Sequence, residues 1–169
     1  MLGASKPEFA PLLPPGRHIV TMDRLTRQCV GRFGTSASRP RLMTALSVFV
    51  VGLEELVGTC DVWVDGSFMT EKQEPEDIDL SVMVEGAVFD QLAADLQNEL
   101  LSLASDQPLR PDLHTFVVVT RPRDHPGHHL AEDLRAYFAQ LWSVTRVGSL
   151  KGIAVLRLGE TDVGLRLFP

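Results

Sequence analysis

The stretch Asp61-Val62-Trp63-Val64-Asp65-Gly66-Ser67, followed nine residues later by Asp77-Ile78-Asp79-Leu80-Ser81-Val82-Met83-Val84, decides the fold. Its second half alternates Asp77, Asp79, Ser81 and Met83 with Ile78, Leu80, Val82 and Val84. Successive side chains of a strand point to opposite faces, so the pattern reads as a strand that buries four aliphatics and sets two aspartates side by side. Val62, Trp63 and Val64 form a shorter strand that ends at the Gly66-Ser67 turn.

Two carboxylates on one strand face repel each other. A hard divalent cation, Mg2+ or Mn2+, relieves that repulsion through oxygen ligands. Glycine at the preceding turn lets backbone amides approach a phosphate, and the Ser67 hydroxyl adds a donor. Lys72, in the loop between the two motifs, supplies a positive charge that could neutralise a triphosphate.

Working outward, the elements alternate. Residues 1–18 are rich in proline (Pro7, Pro11, Pro14, Pro15) and read as an extended arm before a single domain spanning 19–169. Thr21 is placed to cap a short helix running towards Phe33. From Pro40 to Val57 the residues Leu42, Leu46, Phe49, Val50, Leu53, Leu56 and Val57 recur at helical spacing, with Gly58 at the end. Ala87 to Ala104 repeats that pattern. Phe116 to Val119 predicts a strand, His129 to Val144 a helix, and Ile153 to Leu158 a strand. Val163 to Phe168 is expected to pair near the last one. Strands interleaved with helices in this order imply an α/β (α+β) fold, a mixed β-sheet with helices packed on it.

Composition narrows the function. With 44% hydrophobic and 22% charged residues the chain is in the globular range. Its net charge of −6 is unevenly spread. Residues 1–45 carry seven Lys/Arg against two Asp/Glu, residues 46–112 carry two against fifteen, and residues 113–169 carry seven against five. A protein this acidic is not a general nucleic-acid coat, although the basic N-terminal segment could grip a nucleic-acid substrate. No apolar run is long enough to span a bilayer, and Met1 to Pro15 lacks the pattern of a signal peptide. Cys29 and Cys60 make no disulfide framework and read as small apolar core residues, so a cytoplasmic location is expected. Trp63 and Trp142 also read as core. His125, His128 and His129 cluster in a Pro/Gly loop with no cysteine to complete a tetrahedral zinc site.

A strand ending in Gly66-Ser67, a nine-residue loop and Asp77-Ile78-Asp79 opening the next strand resemble the nucleotidyltransferase superfamily to which polymerase beta belongs. Leu13 to Thr21, Arg39 to Leu46, Asp65 to Lys72 and Lys151 to Val155 are also similar to a small family of stand-alone bacterial proteins within it. The resemblance implies that Gly66 and Ser67, with Lys72, bind a nucleoside triphosphate. It implies that Asp77 and Asp79 hold Mg2+ or Mn2+, with a third carboxylate from a later strand. Asp112 occupies that place, although Pro111 precedes it where the superfamily has an apolar strand residue.

Two functions follow as expectations. One is a metal-dependent nucleotidyltransferase moving a nucleoside monophosphate to an acceptor on RNA, protein or a small molecule, with Asp77, Asp79 and Asp112 as catalytic residues. The other is a catalytically degenerate binding module of the same fold, serving a partner protein as antitoxin, immunity or regulatory factor.

Overall fold

The computed structural model describes residues 7–104 and 109–159. Five strands form one mixed sheet in the order β1-β5-β2-β3-β4: β1 Gly16–Ile19, β2 Cys60–Asp65, β3 Ile78–Glu85, β4 Leu113–Thr120 and β5 Gly152–Leu158. β2 runs antiparallel to both β3 and β5, while β1 with β5 and β3 with β4 are parallel pairs. Five helices accompany it: α1 Met22–Thr26, α2 Ser38–Val57, α3 Gly86–Gln91, α4 Ala94–Ser102 and α5 His128–Trp142. The expected α+β class, a mixed sheet with helices packed on it, is what the chain forms.

Period-two alternation sorts the sheet into two faces. Val62 and Val64 of β2, Ile78, Leu80, Val82 and Val84 of β3, and Ala154 and Leu156 of β5 enter a core with Leu42, Leu46, Val50 and Leu53 of α2. The opposite parity, Trp63, Met83, Val118, Ile153 and Val155, packs under Phe138 and Trp142 of α5. Both tryptophans and both cysteines are buried, as their apolar settings suggested. Burial pushes the Cys29 thiol up to about 12 and raises that of Cys60 as well. Among the described residues no helix is long and apolar enough to cross a membrane.

Two local expectations change. The proline-rich segment is no free arm, because Leu12 and Leu13 are buried in the core and Gly16–Ile19 forms the edge strand β1 beside β5. Thr21 does cap α1, its hydroxyl accepting from Arg24 N–H at 3.1 Å. The helix expected over 87–104 is two helices. Leu92 and Ala93 adopt extended ψ values of 144° and 153°, and the Gln97 amide donates to the carbonyls of Phe89 and Leu92 at 3.1 Å, tying the break together. The strand expected at Val163 to Phe168 lies outside the described residues.

Candidate functional site

The two motif halves meet at one end of the β2–β3 pair. Asp65 lies opposite Asp79 in the antiparallel register, and β4 adds His114 beside Asp79. Asp65, Asp79 and His114 share parity with Trp63, Met83 and Phe116, so they sit on the α5 side of the sheet. Gly66 follows at φ +78°, a backbone conformation that suits glycine. A Cβ there would lie 2.1 Å from Oδ2 of Asp79, so the Asp79 carboxylate fills the space the missing side chain leaves. The turn and the aspartates are therefore one packed unit. Ser67 then opens a 3-10 turn, Ser67–Met69, that buries Phe68 and Met69.

Charges at this end are paired closely. Lys151, just before β5, donates through Nζ to Oδ2 of Asp65 at 2.6 Å, and both side chains are nearly inaccessible. Burial pushes the Asp65 carboxyl up to about 6, against the opposing pull of the Lys151 ammonium and the Gly66 N–H, with Asp79 adding to the rise. Asp79 is also raised, first by burial and then by neighbouring Asp77, while His114 and Lys151 oppose the shift. A hydrogen bond of 3.0 Å joins Nδ1 of His114 to Oδ1 of Asp79. Asp77, one residue ahead of β3, is half-buried beside Asp79.

The loop from Gly66 to Asp77 is held rigidly from below. Arg39 of α2 is fully buried and donates to the carbonyls of Cys29, Phe68, Thr70 and Lys72 at 2.6–3.2 Å. Its guanidinium also stacks 3.7 Å from the centre of the Phe33 ring. Glu74 caps α2, accepting from the N–H groups of Ala37 and Ser38 at 3.0 and 2.9 Å and from the Ser36 hydroxyl. Those bonds at a helix N-terminus hold its carboxyl down at about 2.

Of the expected site residues, Gly66, Ser67, Asp77 and Asp79 come together; Lys72 and Asp112 are committed elsewhere. Lys72 extends its ammonium to Glu76, 3.4 Å away, and lends its carbonyl to Arg39. Asp112 precedes β4 and forms an ion pair with Arg41 of α2, the helix that covers the other face of the sheet. Its backbone carbonyl accepts from Ile78 N–H at 3.0 Å, which registers the two strands. Asp112 is thus placed with Arg41, and the position flanking Asp79 on β4 belongs to His114. Among the described residues no group of three or more His, Cys, Asp or Glu side chains is arranged to hold a metal ion.

Sequence reasoning overlooked His114, and it left Asp65, Lys151, Arg39 and Glu74 without roles. His114 has the same parity as Asp112, but only the parallel register Asp79–His114 shows which of the two meets the motif. His125 and His128 brace the turn that leads into α5. Nδ1 of His125 accepts from Gly127 N–H at 2.9 Å, and the His128 ring bonds to the Arg121 carbonyl at 2.7 Å. His18 bonds to the Pro14 carbonyl, and Arg17 lies over Trp63.

These features define an α+β protein whose mixed five-stranded sheet carries, at one end, an Asp/His/Lys cluster locked to a glycine turn. Residues 7–157 match the profile of a family of unknown function (DUF6932), and the chain belongs to that family. No curated protein and no solved structure matches the chain.

Proposed function

We propose that this protein is a nucleotide-binding module of nucleotidyltransferase type that has lost transfer chemistry and acts as a regulatory or antitoxin-like partner. The observation that carries the reading is the place of Asp112. A carboxylate needed to activate an acceptor oxygen must reach the metal pair, and this one is held by Arg41 on the α2 side. Support for nucleotide binding comes from Gly66 at positive φ and from Asp77 and Asp79 beside it. Magnesium commonly takes one or two carboxylates plus phosphate oxygens, so these two aspartates fit a metal that arrives with the nucleotide. Two free buried cysteines fit a reducing cytoplasm.

A transferase acting on RNA, protein or a small molecule is the second reading, favoured by the intact aspartate pair at the turn. One experiment separates them. The protein is incubated with each labelled nucleoside triphosphate, Mg2+ or Mn2+, and total cell RNA and protein, while binding is followed by calorimetry. Metal-dependent binding that Asp77→Asn weakens at least about tenfold, without transferred label, is the expected result. Label appearing on any acceptor establishes the transferase instead. No binding at about 1 mM nucleotide removes both readings.

A further inference from the structure

One face of α5 is apolar and exposed. Ala131, Phe138 and Trp142 turn inward, whereas Leu130, Leu134, Tyr137 and Leu141 remain 67%, 40%, 56% and 46% exposed. The four outward residues follow one another at intervals of four, three and four, the seam spacing of paired helices. Val147 and Leu150, in the turn after α5, are 75% and 63% exposed.

We propose that this face is a twofold interface between two copies of the chain, with their α5 helices crossing antiparallel. Two observations select a second copy as the occupant. The four–three–four spacing reads the same in both directions, so in an antiparallel pair Leu130 meets Leu141 of the second copy and Leu134 meets its Tyr137. An isologous contact demands that self-complementarity, and a heterologous partner does not. The area also suffices. With about 150–200 Å² for each large side chain, the stripe and the following turn expose roughly 600 Å² per copy. Two copies would cover roughly 1,200 Å², the lower bound for a stable interface.

The test uses the full chain in analytical ultracentrifugation from about 1 to 100 µM, a range that brackets ordinary dimer affinities. The expected mass is twice 18.6 kDa. Leu134→Glu combined with Leu141→Glu should sediment as a monomer with unchanged far-UV circular dichroism. Val48→Glu, on the 69%-exposed apolar position of α2, should remain a dimer. Cysteine pairs give a second readout should the double variant fail to fold. Leu130→Cys mixed with Leu141→Cys should cross-link with a short bismaleimide while neither does so alone, the native cysteines being buried. A wild-type monomer over the whole range overturns the proposal, as does a dimer that survives the α5 substitutions. Self-cross-linking of Leu130→Cys overturns the antiparallel arrangement.

Discussion

Arg39→Met removes the guanidinium that ties the Gly66–Asp77 loop to α2, and the structure sets the size of the loss. Methionine keeps the volume and the contact with Phe33, so the change is one of hydrogen bonding and charge. Two opposed effects compete. Taking the charge out of the core recovers its desolvation cost, several kcal/mol for a buried ion. Against that stand five lost bonds to the charged group, and for a buried charge these bonds and the desolvation cost are of comparable size. These first two amounts largely cancel. What remains is the cost of the abandoned carbonyls. Those of Thr70 and Lys72 lie at the partly buried end of the side chain, where water can replace the arginine. Those of Cys29 and Phe68 are buried and stay unpaired, at about 1–3 kcal/mol each. The expected destabilisation is therefore about 3–4 kcal/mol in urea unfolding, with limited proteolysis opening the chain between residues 70 and 76. Arg39→Lys, whose ammonium reaches fewer of the four carbonyls, should lose about half as much. A loss below about 1 kcal/mol for Arg39→Met, or a loop that stays protected, would refute this account of what holds the site together.

Two further outcomes follow from the glycine turn and the buried acid. Gly66→Ala must move the Asp79 carboxylate out of the space its Cβ takes and must also hold φ at +78°, so the expected loss is about 2–4 kcal/mol, with the His114 resonances shifted in NMR; a stability within about 0.5 kcal/mol of wild type contradicts the packing. Asp65, with its folded pKa raised from 3.8 to about 6, binds more protons folded than unfolded between those values, so its contribution makes stability fall as pH rises from about 4 to about 6. The fall should be about 2 kcal/mol in wild type and missing from the pH slope of Asp65→Asn; equal slopes would sink the assignment.

The fold was legible wherever one face of an element is buried and the other is not. β2, β3, α2 and α5 each show their period in the sequence, because burial against a single layer forces it. The division of α3 from α4 left no mark, since neither Leu92 nor Ala93 is a breaker and the cap comes from the side chain of Gln97. β1 was hidden because proline-rich chain can still pair at a sheet edge, where unused N–H groups face outward. The site was half legible. Gly66, Ser67, Asp77 and Asp79 stand in one continuous stretch, so local sequence carries their geometry. Asp112 and His114 differ by two residues and share parity, and no local pattern says which of them reaches Asp79. Arg39 gave still less signal, because its carbonyl partners lie 10 to 33 residues away along the chain.

The polar end of the sheet has a consistent electrostatic logic. Asp65, Asp77 and Asp79 crowd one edge, and such a cluster is tolerated only if something positive or protonated balances it. Lys151, just ahead of β5, neutralises Asp65, and His114 of β4 shares a hydrogen bond with Asp79. A three-carboxylate metal site would need Asp112 where His114 stands, and the cation would then supply the balancing charge. The imidazole that stands there shares a hydrogen bond with Asp79. Asp77 and Asp79 are common to both proposed readings, and the side chain that meets Asp79 from β4 is what distinguishes them.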